Sequence, residues 1–98
     1  MKVLVPVLSK SEDAEISPEF GRTPFFAVVE GDKVSFYDNP GASASGGAGV
    51  KASQFVLNLG VDKVVLKKPA GPNAKSALEQ AGITVEVNES LETLKDLL

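Results

Sequence analysis

Residues 25–38 read FFAVVEGDKVSFYD: two β-rich runs, FFAVVE from Phe25 to Glu30 and KVSFYD from Lys33 to Asp38, separated only by Gly31-Asp32. A two-residue, glycine-containing link between such runs is a strong hairpin signal. It fixes an antiparallel pair of strands early in the chain. Upstream, residues 2–8 (KVLVPVL) form an almost continuous apolar run, as expected of a strand covered on both faces, with Pro6 marking an end or an irregularity in its ladder. The polar stretch 9–23 contains Ser11-Glu12-Asp13 and the segment SPEFGRTP (residues 17–24), and is expected to be a long loop.

Downstream of the hairpin the apolar period changes. Ala48, Ala52, Phe55, Val56 and Leu59 share one helical face, and Gly60 is placed to end that helix. Residues 62–67 (DKVVLK) read as a strand, and Ala70-Gly71-Pro72-Asn73 as a helix start with proline in the first turn. Ala74, Ala77, Leu78 and Ala81 supply the buried face of that second helix, with Gly82 as its stop. Residues 83–87 form a last strand, and Ser90 is expected to cap a short terminal helix carrying Leu91, Leu94 and Leu97 or Leu98. Three strands followed by two helical crossovers imply one α/β domain over residues 1–98, with a mixed five-stranded sheet. Right-handed crossovers and short connections favour the strand order 3-2-1-4-5 with only the second strand antiparallel. The expectation is a three-layer, ribonuclease H-like arrangement with helices on both faces.

That topology concentrates the unusual sequence at one edge. The 9–23 loop, the Gly-rich stretch after the hairpin and the Lys68 to Gly71 turn all follow strands that run the same way, and open α/β sheets bind ligands at such carboxyl ends. The Gly-rich stretch, NPGASASGGAGVKASQ (residues 39–54), has four glycines within nine positions: Gly41, Gly46, Gly47 and Gly49. Its segment Ser45-Gly46-Gly47-Ala48-Gly49 matches neither the GxxxxGK[ST] phosphate loop nor the dinucleotide fingerprint. A helix starting there nonetheless exposes unpaired N–H groups, as does the start at Pro72-Asn73. Arg22 is the only arginine, and its planar fork of donors suits an anion better than lysine does; the competing role is an internal salt bridge to Glu19 or Glu15. Glu12, Asp13, Glu15 and Glu19 together offer oxygen donors to a hard cation, although an acidic loop is more often simply solvated.

Inventory removes several chemistries. The chain has no cysteine and no histidine, which excludes thiolate nucleophiles, disulfides, redox dithiols and imidazole or thiolate metal ligands. A net charge of −3 gives no general attraction to nucleic acid or anionic membrane, and no apolar run approaches the roughly 20 residues of a spanning helix. Nuclease chemistry needs carboxylates converging from core strands, and the first strand has none. A non-enzymatic, cytoplasmic protein is the expectation, with no nucleic-acid or membrane partner.

SPEFGRTPFF (residues 17–26), NPGASASGGAGVKASQ (39–54) and AGPNAKSALEQAGI (70–83) together resemble the dinitrogenase iron-molybdenum cofactor biosynthesis family over nearly the whole chain. The resemblance implies a cluster accessory or carrier protein whose cargo is an iron-molybdenum or iron-sulfur cluster, with cluster-assembly proteins as partners. Many members of the family have histidine where this chain has Glu19. The expected cofactor-binding residues are Glu19, Arg22, Ser45, Gly46, Gly47, Gly49, Pro72 and Asn73, of which Arg22, the amides around Gly46 to Gly49 and the helix start at Pro72-Asn73 form the anion-binding part. Two other uses of that edge stay open, a protein-interaction module and a small-anion or nucleotide sensor.

Overall fold

The hairpin forms as its sequence dictates, and the chain on either side builds one sheet around it. The computed structural model describes residues 1–98. Its elements are β1 (Lys2–Val7), β2 (Phe25–Glu30), β3 (Lys33–Asp38), α1 (Ala48–Leu59), β4 (Lys63–Leu66), α2 (Pro72–Gln80), β5 (Thr84–Val87) and a single 3₁₀ turn, Leu94–Leu97. The sheet runs β3-β2-β1-β4-β5; β2 is antiparallel to its neighbours, while β1 pairs parallel with β4 and β4 with β5. This is the strand order that hairpin and crossovers implied.

Pro6 does interrupt the ladder. β1 pairs with β2 along its whole length, but with β4 only at Val3 and Leu4. Beyond that point the β4 side of β1 is taken over by the chain after Ala14: Val7 bridges Ile16, and the Ser17 amide donates to the Pro6 carbonyl at 2.9 Å. The 9–23 stretch is therefore docked rather than free. Its apolar side chains explain why, since Ala14, Ile16 and Phe20 are all buried.

The two faces of the sheet are covered differently. Leu4, Phe26, Val28, Val64 and Leu66 point to one face and pack against Ala52 and Val56 of α1 and Ala74 and Leu78 of α2. Val5, Val7, Ala27 and Val65 point to the other, where Ala14, Ile16, Leu91 and Leu94 cover them. Both α-helices thus lie on one face, and the other carries loop chain plus one 3₁₀ turn, in place of the expected helices on both faces. Handedness explains it. From β3 to β4 and from β4 to β5 the chain advances across the sheet in the same direction between parallel strands, so two right-handed crossovers deposit their helices on the same side.

The terminal element also differs from expectation at its start. Ser90 takes no capping role; its amide donates to Asn88 Oδ1 at 3.0 Å. Thr93 is the N-cap, in a capping box with Asp96, whose carboxylate accepts the amides of Glu92 at 3.0 Å and Thr93 at 3.1 Å. The turn is pinned to the sheet by Leu94 N–H donating to the Ala14 carbonyl at 2.9 Å, with Leu94 fully buried.

The Glu92 amide, followed by that of Thr93, holds the Asp96 carboxyl below its ordinary pKa. A carboxylate with a lowered folded-state pKa stabilises above its unfolded value, near 3.9, and loses that contribution as pH falls through the folded value. Asp96→Asn is therefore expected to melt below wild type near neutrality, with the gap closing in acid below about pH 4. Thermal unfolding across pH checks this, and a gap that persists undiminished into strong acid would contradict it.

Candidate functional site

One turn of chain ahead of β2 assigns each residue a direction. Ser17 is buried and closes a local turn, accepting the Glu19 amide at 3.1 Å and donating to the Glu19 carbonyl at 3.2 Å. Phe20, 5% exposed, drops into the core against Phe26, ring centroids 5.6 Å apart. Gly21 lies so close to the start of α1 that a Cβ on it would stand 3.0 Å from the Gly49 nitrogen. Thr23 is fully buried, its hydroxyl donating to the Val7 carbonyl at 3.0 Å. Glu19 and Arg22, between these anchors, are left pointing to solvent.

The Gly-rich loop is tied to this turn by Asn39, a residue that the motif search did not single out. Its side chain is 5% exposed, and its Nδ2 donates to the carbonyls of Gly21 at 3.0 Å and Thr23 at 2.9 Å. Its Oδ1 accepts the Gly41 amide at 2.9 Å. Gly41 itself is wedged between loops, because a Cβ there would meet the Ala48 carbonyl oxygen at 2.6 Å and that of Gly21 at 2.7 Å. Only the residue type that lacks a Cβ fits. The loop then enters α1 through Gly47, whose φ of 66° is left-handed.

Both helices begin without a side-chain cap and without an acidic residue in the first turn. Lys51 and Lys75 donate back to Gly47 and Gly71, but the amides of Ala48, Gly49 and Val50, and of Asn73 and Ala74, have no partner within the chain. A Cβ on Gly49 would stand 3.6 Å from Ala74 Cβ, so the two helix starts are neighbours. Together with the Pro18 to Arg22 turn and the Pro69 to Gly71 turn they wall an open cleft of about 510 Å³.

Six of the residues singled out from sequence lie on this cleft: Glu19, Arg22, Gly47, Gly49, Pro72 and Asn73. Ser45 and Gly46 do not; both are exposed. Sequence reasoning missed Phe20, Val50 and Ala70 as lining residues, and Asn39 and Gly41 behind the wall. Arg22 makes neither of the salt bridges envisaged for it, since the ion pairs of the chain are Lys10–Asp38 and Lys63–Glu86. Its Nη1 instead donates to the Ala44 carbonyl at 2.7 Å, leaving the rest of the guanidinium fork free. The acidic residues of the 9–23 stretch do not gather; no three carboxylates come close enough to share a metal ion. Chemically the cleft offers N–H donors, one guanidinium, one carboxylate and apolar walls.

Comparison with known proteins places the whole chain. A family model described as dinitrogenase iron-molybdenum cofactor matches residues 1–98. No curated protein matches significantly. Among solved structures, the apo form of the orange protein from Desulfovibrio gigas is similar with a TM-score of 0.86 and 30% identity, over 98% of this chain and 82% of that one. A putative NifB protein from Thermotoga, described as belonging to the DUF35 family, has a TM-score of 0.78 and 26% identity, over 97% of this chain and 81% of that one.

The packing around the loop separates glycines of similar appearance. Gly41→Ala is expected to lower stability by about 1–3 kcal/mol, the usual range for overpacking, whereas Gly46→Ala, with open space around it, should stay within about 0.5 kcal/mol of wild type. Chemical denaturation measures both, and equal costs would show that the loop yields freely at Gly41.

Proposed function

The chain belongs to the dinitrogenase iron-molybdenum cofactor family, and from its cleft we propose that it is a non-enzymatic binding or carrier protein for an anionic cofactor. The observation that carries this is the convergence of two uncapped helix starts and Arg22 on one cleft. Unpaired amides and the positive ends of two helix dipoles favour a bound anion, and the guanidinium adds charge-assisted hydrogen bonds.

The donor set decides how such a cargo is held. Iron-sulfur and related clusters are ordinarily fixed by thiolate or imidazole ligands, and this chain has neither. The cleft does not fit a cluster bonded to protein sulfur or nitrogen. It fits an anionic cluster, or another cofactor of like charge, gripped at its periphery by hydrogen bonds, with cluster-assembly proteins as the source or destination. The exposed Val50, at 47%, and the prolines at the cleft mouth provide an apolar border against which such a partner can seat.

Two measurements test the proposal. Anaerobic incubation with iron and sulfide, followed by absorption spectra and metal analysis, is expected to leave coloured, metal-loaded protein; a colourless, metal-free product would remove the cluster as cargo. Calorimetry with inorganic phosphate tests the cleft itself. Arg22→Ala is expected to weaken that binding by about 1.5–3 kcal/mol, the range for hydrogen bonds to charged groups, and unchanged affinity would reject Arg22 as the clamp. Phosphate binding without metal loading would favour the small-anion sensor.

A further inference from the structure

The two hydrogens of the Asn39 amide go to the carbonyls on either side of Arg22, those of Gly21 and Thr23, at 3.0 and 2.9 Å. The Arg22 side chain in turn reaches forward to the Ala44 carbonyl, at 2.7 Å, in the loop that Asn39 begins. Asn39 Oδ1 completes a ring by holding the Gly41 amide at 2.9 Å, and the Ala44 amide donates to Gly41 at 3.1 Å. Arg22 is thus held at its backbone by one end of the Gly-rich loop and at its guanidinium by the other. We infer that Asn39 is a positioning residue for anion binding, setting the distance between the Arg22 guanidinium and the first-turn amides of α1 without touching the ligand. The inference rests on the cleft being the binding site proposed above.

Three features support a role beyond filling space. Asn39 is buried and none of its polar atoms is left without a partner, so any replacement changes the hydrogen bonding of this joint and not merely its volume. The bonded carbonyls belong to the wall that carries Arg22, while Gly41 and Gly21 both press on the opening turn of α1. Interiors transmit such displacements because they are packed without slack. Loss of the two donors therefore lets the Arg22 wall move relative to the amides, and a ligand bridging both loses one contact to keep the other.

The experiment is a double-mutant cycle of Asn39→Ser and Arg22→Ala, with inorganic phosphate affinity by calorimetry and thermal midpoints for all four proteins. Asn39→Ser is expected to weaken binding roughly tenfold in the wild-type background and less than about twofold in the Arg22→Ala background, within the coupling that contacting residues show. The midpoint losses are expected to add. Equal fold-losses of affinity in both backgrounds, or no loss, would overturn the positioning role and leave Asn39 a structural residue. A ligand-free arm keeps this distinct from the binding proposal: the Arg22 Nε–H resonance and the Ala48 to Val50 amides are expected to shift in Asn39→Ser and in the isosteric Asn39→Asp, which serves if the serine variant does not fold. Wild-type positions for these signals overturn the inference whether or not phosphate binds. Shifted signals in a wild-type protein that ignores phosphate would instead sink the binding proposal while the positioning geometry stands.

Discussion

The side-chain amide of Asn39, closed in among the carbonyls of Gly21 and Thr23 and the amide of Gly41, is the constraint on which the cleft depends. The two loops it joins, residues 17–24 and 40–47, lie outside the strands and helices. A buried amide with its partners removed costs about 1–3 kcal/mol, so the loops meet in the one arrangement that keeps all of them. Phe20 in the core and Gly41 against the Ala48 carbonyl complete the fit. The cleft is therefore made of parts fixed from behind, with Glu19, Arg22, the helix starts and the flanking prolines facing outward.

The anion-binding role proposed for the cleft looks at odds with a net charge of −3 until ranges are compared. At physiological ionic strength exposed charges are screened beyond about 8 Å, so carboxylates elsewhere on the surface contribute little in the cleft. Amides and a guanidinium in contact with the ligand act at hydrogen-bond distance. Neither helix has an acidic residue in its first turn to compete for those amides. On the proposed reading, local geometry outweighs overall charge.

The fold was legible where physics is local. Two β-rich runs and Gly31-Asp32 marked the hairpin, the 3.6-residue period marked both helices, and Gly60, at a φ of 68°, ended the first as anticipated. Of the helices expected on both faces, the two α-helices share one face and only the 3₁₀ turn lies on the other; an apolar stripe says that a helix is covered, not which side of the sheet covers it, and the direction of the two crossovers held that information. The capping residue moved from Ser90 to Thr93 because both are acceptable caps locally, and only Asp96 three residues on distinguishes them. In the candidate site, glycine density and a lone arginine drew attention to loops that line one cleft. Asn39 stayed hidden because bonds to residues 16 and 18 positions earlier leave no period in the sequence.

The tip of the hairpin has a practical meaning. Gly31-Asp32 joins β2 to β3 at the end of the sheet away from the carboxyl ends of β1 and β4, and nothing lies within 4 Å of where a side chain on Gly31 would project. The molecule thus has a cleft end and a handle. A label, a tether or a fused module inserted at that tip would leave the opposite end open to solvent, and would let the cleft be watched or immobilised in a known orientation.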